Sequence, residues 1–377
     1  MKIMILTNYA NGLYLFRKEL LAQFLKDGHE VVVSIPFDEN RLKIEKLGCR
    51  VIEAHLERRG SNPVHDLKLL GEYLACLKAE KPEMVLTYTI KPNLYGGLAC
   101  RIRKIPYLMN ITGLGTAIEH KSLLSRALLL LYRMASAKAA RVFFQNEKNR
   151  DFMQNHGIAK ENAALLPGSG VNLKEHPFRE YPSEREGIRF LAVLRIMKDK
   201  GIGEYLDAVQ SLAEKRKDIS FYLAGEYEED SRSLYEPRIT ELQKQGKLEY
   251  LGHIDNVEQV MTESHVIVHP SYHEGLSNVL LEAAACGRPV LATNVSGCRE
   301  TFLEGKSGIG FSKESSQDLI QAIQKILAMT EEQRRDMGAA GRAYVEERFD
   351  RQIIIDTYEK EIETIKENRK WDCTRTL

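Results

Sequence analysis

Short apolar segments alternate with longer amphipathic ones along most of this chain, and this alternation restricts the fold more than any other feature. The first half contains apolar segments with the length and composition of β-strands at residues 3–6, 31–35, 84–88, 107–111 and 142–145. The segments between them have the periodicity of helices. Strands that alternate with helices predict βαβ units built around a parallel sheet.

A second series of the same kind follows an interruption. Residues 166–187 contain three prolines and three glycines with little periodicity, which is typical of an interdomain linker. The second set of predicted strands covers residues 190–194, 221–224, 248–251, 266–269 and 290–292. We therefore expect an α/β protein with two Rossmann-like domains, over 1–180 and 181–350. Residues 351–377 are expected to form a C-terminal helix that can pack back on the first domain.

Two such domains on one linker are expected to face each other across a cleft. In open parallel sheets, ligands bind beyond the carboxyl ends of the strands. Candidate functional residues are therefore sought where the predicted strands end.

Charge is divided unevenly between the two halves. The net charge is only +1, yet residues 1–180 carry 27 Lys and Arg against 18 Asp and Glu, so the remainder is acidic. A basic first half predicts an anionic partner, which could be nucleic acid, a phosphorylated acceptor or a membrane surface. Nucleic acid fits least well, because the basic residues are spread out without a recognition helix or an aromatic platform.

Composition also bears on location and on metals. No segment reaches the roughly 20 apolar residues that span a bilayer, and no basic leader precedes the first strand. The six cysteines form no C-x-x-C pair, which predicts reduced thiols and no zinc site. No Asp-x-Asp occurs, and Pro270 between His269 and His273 makes a shared helical face for metal binding improbable. We expect a cytoplasmic protein, peripheral at most on the membrane, with no bound metal.

The sharpest motif runs from His269 to Glu282, His-Pro-Ser-Tyr-His-Glu-Gly-Leu-Ser-Asn-Val-Leu-Leu-Glu. A predicted strand ends at His269, a loop follows, and an apolar helix begins near Leu276. The amides of such a loop and first helical turn can bind an anion. In a helix the eight-residue offset between Glu274 and Glu282 spans roughly 12 Å, about the length of a nucleoside diphosphate bridge. On spacing alone, an ordinary helix with an acidic first turn explains the pattern better.

A basic pair follows the first predicted strand of the second series. Arg195 comes directly after that strand, and Lys200 follows five residues later. Arginine can bridge two oxygens of a diphosphate while lysine acts as a point charge, and both can stabilise a departing diphosphate. A solvated basic loop is the alternative, since Lys198 lies beside them.

Together these residues resemble the family-4 retaining glycosyltransferases of the GT-B fold. The similarity includes Leu-Arg-Ile-Met-Lys-Asp-Lys-Gly from Leu194, Glu-Gly-Leu-Ser-Asn-Val-Leu-Leu-Glu-Ala from Glu274, and Gly-Arg-Pro-Val-Leu-Ala-Thr from Gly287. It covers nearly the whole chain. The resemblance implies a retaining, metal-independent hexosyltransferase that uses a UDP-sugar as substrate and needs no cofactor.

The resemblance also implies residue roles. Arg195, Lys200 and Glu274 would be catalytic: the basic pair would hold the donor diphosphate and Glu274 the donor sugar. Glu282 would bind ribose. The remaining expected donor contacts are Gly12, Gly252, His253, Gly275, Leu276, Ser277 and Asn278.

The first domain is expected to bind the acceptor. Asn11 and Gly12 occupy the place of the family's glycine-rich loop, with one glycine where two are common. Residues 110–116 replace a loop that carries histidine in many members, with Gly113 near that position. Together with residues 89–93, this segment resembles a bacterial subgroup that extends undecaprenyl-diphosphate-linked sugars, typified by addition of N-acetylgalactosamine. Lipid-linked or polysaccharide acceptors are therefore expected, contacting Asn11, Lys91, Thr112 and Gly113.

Other interpretations stay open. Residues 122–142 interleave leucines with basic residues, which fits either a helix on an anionic membrane or an ordinary helix with a solvated basic face. A UDP-sugar epimerase would share the two-domain architecture and the donor. A non-catalytic protein that binds nucleotide sugars is a further alternative, which the intact basic and acidic residues disfavour.

Overall fold

The computed structural model of the chain describes residues 1–38, 40–56, 62–114 and 122–374, with side chains up to residue 367. The chain divides into two compact units. The first comprises Met1–Ser169 with Gln352–Leu377, and the second comprises Gly170–Arg351. The division therefore falls between Ser169 and Gly170 instead of between residues 180 and 181.

The first unit is built on a parallel sheet. Its described strands are β1 (Lys2–Leu6), β2 (Glu30–Ile35), β3 (Arg50–Glu53), β4 (Met84–Tyr88), β5 (Tyr107–Ile111), β6 (Arg141–Phe144) and β7 (Ala163–Leu165). They lie in the order β3-β2-β1-β4-β5-β6-β7. The described helices are α1 (Ala10–Lys26), α2 (Arg41–Lys46), α3 (Pro63–Glu80), α4 (Gly97–Arg103), α5 (Leu123–Ser136) and α6 (Glu147–Asn155), with a π-helical segment, Pro92–Gly96, before α4.

Helices cover both faces of this sheet, and the alternation of side chains along each strand explains why. Met4 and Leu6 of β1 belong to the buried cluster that includes α3, α4 and α5, whereas Ile3 and Ile5 belong to the cluster that includes α1 and α2. Successive side chains of a strand point to opposite faces, so a strand buried on both sides is continuously apolar.

The second unit repeats the architecture. Its described strands are β8 (Ile188–Val193), β9 (Ile219–Ala224), β10 (Glu249–Gly252), β11 (Val266–His269), β12 (Val290–Thr293) and β13 (Gly308–Phe311), in the order β10-β9-β8-β11-β12-β13. The pairs recorded in the two sheets are parallel. Its described helices are α7 (Ile202–Ala213), α8 (Arg232–Lys244), α9 (Val257–Glu263), α10 (Asn278–Ala285), α11 (Ser316–Leu327) and α12 (Glu331–Arg348).

The last described helix, α13 (Arg351–Thr374), contributes to the core of the first unit. Its Ile354, Ile355 and Tyr358 are buried in the same cluster as α1 and α2. Tyr358 also donates a hydrogen bond to Asn110 at the end of β5. The amphipathic pattern of this helix therefore has its apolar partner in the first unit.

Every strand that the sequence predicts is present, and the strands that it misses lie at sheet edges. These are β3, β7 and β13. The three missed strands are short, and β3 and β7 are only partly buried, so their apolar signal is weak. The expected two Rossmann-like domains are confirmed.

Two predicted boundaries are corrected. Helix α1 begins at Ala10, so Asn11 and Gly12 lie in its first turn and not in a loop. Helix α10 begins at Asn278, with Ser277 as its N-cap, and not near Leu276. The helical rise used to place Glu274 roughly 12 Å from Glu282 therefore does not apply before residue 278.

Helix length and apolarity can also be judged from the structure. None of the helices formed by the described residues is long and apolar enough to cross a membrane. Five cysteines have described side chains, and all five are free thiols.

Candidate functional site

Glu274 lies at the centre of a charged cluster in the second unit. Its Oε1 atom accepts a hydrogen bond from Lys200 Nζ at 2.5 Å and another from His269 Nε2 at 3.0 Å. Lys200 Nζ also lies 3.4 Å from the hydroxyl of Ser271. Lys200 follows β8 and Glu274 follows β11, and these strands are neighbours in the sheet. The strand order therefore brings together two residues that lie far apart in the sequence.

The cluster fixes the charge of Glu274. Burial alone would raise the pKa of this carboxyl, but the hydrogen bond from His269 and the charge of Lys200 outweigh burial and hold its pKa well below the usual range. Both side chains of the Lys200–Glu274 pair are largely buried. A carboxylate can only accept, so His269 Nε2 carries a hydrogen.

Close backbone contacts support this loop. Gly201, after Lys200, has a φ of +69°, and a Cβ there would clash with the carbonyl of Pro270. Gly297 has a φ of +89°, and a Cβ there would clash with the backbone of Glu274. Gly297 also accepts a hydrogen bond from the amide of Ser277 at 2.8 Å. Only glycine fits both the backbone conformation and the available space at these positions.

Arg195 lies just beyond the end of β8 and is more exposed. Its Nη1 atom donates to Glu228 Oε2 at 3.0 Å, and 55% of its side chain remains accessible. An exposed ion pair of this kind contributes little to stability. Arg195 is therefore able to exchange Glu228 for a ligand anion at small cost.

Glu282 lies in the middle of α10, close to Arg351 and Glu175. Burial raises its pKa to about 7, Arg351 opposes that effect, and Glu175 adds to it. Within the described part of the chain, no hydrogen bond to its carboxylate is found. The carboxylate is thus partly protonated at neutral pH and has acceptor capacity for a ligand.

The other expected donor contacts have varied surroundings. The side chain of Leu276 is buried in the core, and Ser277 Oγ caps α10 by accepting from the amide of Leu280. A donor could therefore reach these two residues only through their backbone. Gly252 ends β10 with a φ of +68°, and His253 beside it is exposed near Glu226 and Asp255. Gly275 and Asn278, which flank Leu276 and Ser277, are half-buried.

In the first unit, the expected acceptor residues lie at strand ends or at the start of a helix. Asn11 and Gly12 occupy the first turn of α1, where the Asn11 amide lies 3.4 Å from the hydroxyl of Tyr9. Thr112 and Gly113 directly follow β5 and are half-buried, and beyond its chain neighbours no described residue lies within 4 Å of where a Cβ on Gly113 would be. Residues 115 and 116 of the same predicted segment lie outside the described residues.

Lys91 lies beside a cavity. Its Nζ atom forms an ion pair with Asp66 Oδ1 at 2.9 Å, and the hydroxyl of Tyr95 donates to Asp66 Oδ2 at the same distance. The cavity has a volume of about 290 Å³ and is lined by His55, Leu56, His65, Asp66, Lys68, Leu69 and Lys91. Lys91 follows β4, so the cavity is near the carboxyl edge of the sheet, where ligands bind in such folds.

Sequence reasoning missed several residues of both sites. His269 was placed at the start of the motif and rejected as a metal ligand, but its hydrogen bond to Glu274 was not predicted. Glu228, which holds Arg195, and Asp66, which holds Lys91, carried no motif. The available signal for His269 was its position at the end of β11, as the first residue of the motif that contains Glu274. Among the described residues, no group of three or more His, Cys, Asp and Glu side chains could hold a metal.

The chain has two Rossmann-like domains, and the second carries a lysine–carboxylate cluster where its strands end. This arrangement matches the class that the resemblance implied, which is that of the GT-B glycosyltransferases. Comparison with known families agrees. A model described as "Glycosyl transferase 4-like" matches residues 2–146, and one described as "Glycosyl transferases group 1" matches residues 174–344. The chain is a group 1, family-4-like glycosyltransferase, as the sequence predicted.

Two bacterial relatives are similar over much or all of their length. The N,N'-diacetylbacillosaminyl-diphospho-undecaprenol alpha-1,3-N-acetylgalactosaminyltransferase of Campylobacter jejuni is 26% identical, over 98% of this chain and 100% of that protein. The UDP-Gal:alpha-D-GlcNAc-diphosphoundecaprenol alpha-1,3-galactosyltransferase of Escherichia coli is 24% identical, over 63% of this chain and 65% of that protein.

A solved structure is similar over nearly the full chain. The crystal structure of Anabaena Alr3699/HepE in complex with UDP aligns with a TM-score of 0.80 over 97% of this chain and 100% of that one. The sequences are only 18% identical, so the likeness shows the shared fold alone.

Proposed function

We propose that this glycosyltransferase moves a hexose or N-acetylhexosamine from a UDP-sugar to an undecaprenyl-diphosphate-linked or polysaccharide acceptor in bacterial surface glycan synthesis. The relatives from Campylobacter jejuni and Escherichia coli support the acceptor class, and the name of the latter supports the UDP-linked donor. The observation that carries the proposal is the Lys200–Glu274 pair at the strand ends of the second unit. Neither relative is an epimerase or a non-catalytic binding protein.

The basic residues neutralise the donor diphosphate. Lys200 is held in place by Glu274 and Ser271, so its charge is positioned before a donor arrives. Arg195 exchanges Glu228 for diphosphate oxygens, which its planar guanidinium can bridge. Fixed charges that face a developing negative charge stabilise the transition state without reorganisation. This pair takes the part that a metal ion plays in other transferases.

The two glutamates hold opposite ends of the donor. Glu274 is ionised and accepts hydrogen bonds from hydroxyls of the transferred sugar. Glu282 accepts from the ribose hydroxyls, and its ionised form, which is the better acceptor, is present in substantial amount near neutral pH because its pKa is about 7. Hydroxyl donors stabilise the ionised form and would lower this pKa when the nucleotide binds.

Retention follows from reaction on one face of the sugar. The acceptor oxygen forms a bond to the anomeric carbon as the bond from that carbon to the diphosphate oxygen breaks. The acceptor proton passes to the departing diphosphate oxygen, so UDP leaves with the bonding electron pair and the proton. No protein base is required in this step, which agrees with a site whose central carboxylate is already held by two donors.

The first unit receives the acceptor. Lys91 and Asp66 present a charge and hydrogen-bonding groups at the 290 Å³ cavity, and Asn11, Thr112 and Gly113 follow or begin elements near the same sheet edge. A cationic, partly enclosed site suits the diphosphate or hydroxyl groups of a lipid-linked sugar. Because such acceptors reside in membranes, the enzyme is proposed to work at the cytoplasmic membrane face.

The test is UDP release from a panel of UDP-sugars, with and without an undecaprenyl-diphosphate-linked sugar. Release that requires the lipid acceptor supports the proposal and identifies the donor. Release or isomerisation of the UDP-sugar without any acceptor would support hydrolase or epimerase chemistry instead. The Lys200→Ala variant is the control for activity that does not arise from this site.

A further inference from the structure

We propose that the exposed surface of α4 and α5 docks this enzyme on an anionic lipid bilayer. This inference rests on the proposed function and names the partner surface. We define the α4–α5 face by its exposed apolar and basic side chains. They are Ile102, Leu123, Leu124, Leu130 and Met134, with Arg101, Arg103, Lys104, Arg126, Arg133 and Lys138.

Helix α5 exposes large apolar residues in addition to those that it buries. Ser125 and Ser136 are buried on its inner face, whereas 83% of Leu123 and 59% of Leu130 are accessible. A helix that packs on a sheet normally buries its large apolar residues and exposes its polar ones. Leu128, Leu129 and Leu131 pack against the core in the ordinary way, whereas Leu123, Leu124 and Leu130 are left exposed for a partner outside the unit.

The exposed residues recur with helical spacing and form one stripe. Leu123, Leu130 and Met134 alternate along it with Arg126 and Arg133. Arginine side chains beside leucines can reach lipid phosphates while the leucines enter the acyl boundary. This mixed stripe is the arrangement of a helix that lies in a membrane interface.

The C-terminus of α4 extends the stripe. Arg101 Nη1 donates to the carbonyl of Met134 at 2.8 Å, which fixes the end of α4 against α5. Ile102 is exposed beside this contact, between Arg101 and Arg103. The face therefore comprises two helices that a direct hydrogen bond joins. It offers a larger surface than one helix would.

The charge of this face selects its partner. Neither α4 nor α5 contains an acidic residue, and Glu119 is the one acidic residue in the sequence between residues 84 and 146. None of the six cations forms an ion pair with a carboxylate in the described part of the chain. Unpaired cations beside exposed leucines complement anionic headgroups above an apolar layer.

Other occupants fit less well. A second copy of the same face would bring like charges together, which is unfavourable. Nucleic acid would neutralise the cations but leave the leucines without a partner, since its binding depends on phosphate contacts. A bilayer satisfies both the cations and the leucines.

The experiment is co-sedimentation of the full chain with vesicles of phosphatidylcholine alone and with vesicles of equal parts phosphatidylcholine and phosphatidylglycerol. We expect binding to the anionic vesicles only, weakened by added salt because exposed charges are screened. Equal binding to both vesicles, or to neither, would overturn the proposal.

Paired variants separate the two contributions. Leu123→Ser with Leu130→Ser should weaken binding by about tenfold for each leucine removed from the apolar layer. Arg126→Gln with Arg133→Gln should weaken it by about fivefold for each cation. The matched control is Leu234→Ser with Lys244→Gln, which removes an exposed leucine and an exposed lysine from α8 and should leave binding unchanged. Equal losses in the control would overturn the assignment of the face.

Activity with a short-chain, water-soluble acceptor distinguishes failure of this proposal from failure of the proposed function. The variants should retain that activity and lose transfer to acceptor embedded in anionic vesicles. A wild-type enzyme that uses the soluble acceptor but ignores vesicles would retain the proposed function and reject the docking face. A variant with a changed oligomeric state in size-exclusion chromatography would indicate a protein interface instead.

Discussion

The two units share a parallel-sheet architecture but place different chemistry at their strand ends. In the second unit, Lys200, Glu274 and His269 form a connected charged cluster. In the first unit, the ends of β4 and β5 carry a neutral, buried network. Thr87 Oγ1 donates to Asn93 Oδ1 at 2.7 Å, and Asn93 Nδ2 donates to the carbonyl of Asn110 at 2.8 Å.

This difference indicates that two units with the same fold have different tasks. A charged cluster stabilises charge that develops on a leaving group, and it does so best when its groups are held before the reaction. A satisfied neutral network makes the backbone at these strand ends rigid. The charge that the first unit offers to an acceptor lies at the neighbouring cavity, on Lys91 and Asp66. Under the proposed function, the second unit is organised for the donor's chemistry and the first for positioning the acceptor.

The proposed difference between the two units is tested most strongly by a substitution of Lys200. The Lys200→Ala variant should lower kcat by roughly a hundredfold or more, because it removes the positioned charge that faces the leaving diphosphate. Steady-state kinetics with saturating donor would measure this effect. A variant that raised only KM would contradict a transition-state role for Lys200.

Two matched variants sharpen that result. Lys198→Ala removes an exposed lysine from the same turn and should change kcat little. Arg195→Ala should also lower kcat, yet change the free energy of unfolding by less than about 1 kcal/mol, because its ion pair with Glu228 is exposed. Urea denaturation would measure the second quantity.

A substitution in the neutral network of the first unit should lower the stability of the fold instead of the rate of catalysis. Asn93→Ala should lower the free energy of unfolding by about 1–3 kcal/mol, because Thr87 and Asn110 lose a buried partner. The kcat per folded molecule should change far less than in Lys200→Ala. Asn155→Ala, at an exposed position, is the control. A collapse of kcat without loss of stability would show that Asn93 takes part in chemistry.

Glu282 should affect binding and stability in opposite directions. Its pKa of about 7 lies above the usual value, so the folded state favours the protonated carboxyl. The stability that this contributes is complete below the usual pKa and is lost as pH rises through 7. Glu282→Gln should therefore melt at a higher temperature than the wild type at about pH 8, with little difference at about pH 5.

The same variant should bind UDP about tenfold more weakly, since a neutral amide accepts less strongly from ribose hydroxyls than a carboxylate does. Calorimetric titration with UDP would measure the affinity, and thermal unfolding the stability. Unchanged UDP affinity would reject the ribose role of Glu282.

Lys91 should give the smallest effect. Lys91→Gln should raise KM for the acceptor by about fivefold, a loss of about 1 kcal/mol, and leave KM for the donor unchanged. Lys78→Gln, an exposed lysine at the far end of α3, is the control. An increase in KM for the donor would contradict the assignment of the acceptor to the first unit and of the donor to the second.

The sequence predicted most of this fold because its signals are local. Apolar strands and amphipathic helices recur with short periods, so ten strands were predictable at their positions. The edge strands β3 and β7 were missed because they are short and only partly buried, and β13 because two of its four residues are glycine. The first turn of α1 was also missed, because its N-cap, Tyr9, makes no side-chain capping bond.

The sequence, through its resemblance to the family-4 glycosyltransferases, determined the class of enzyme. It also predicted Arg195, Lys200, Glu274 and Glu282 as donor-site residues, because each lies in a short motif that carries the resemblance. Only the tertiary structure decided that Lys200 pairs with Glu274, because β8 and β11 are neighbours in the sheet. It also decided that the loop after β11 brings Glu274 back to His269 at the end of that strand. It further decided which leucines of α5 face outward, since Leu123 and Leu130 are exposed whereas Leu128, Leu129 and Leu131 pack against the core. A helical repeat specifies that a helix has two faces, and only packing determines which one is buried.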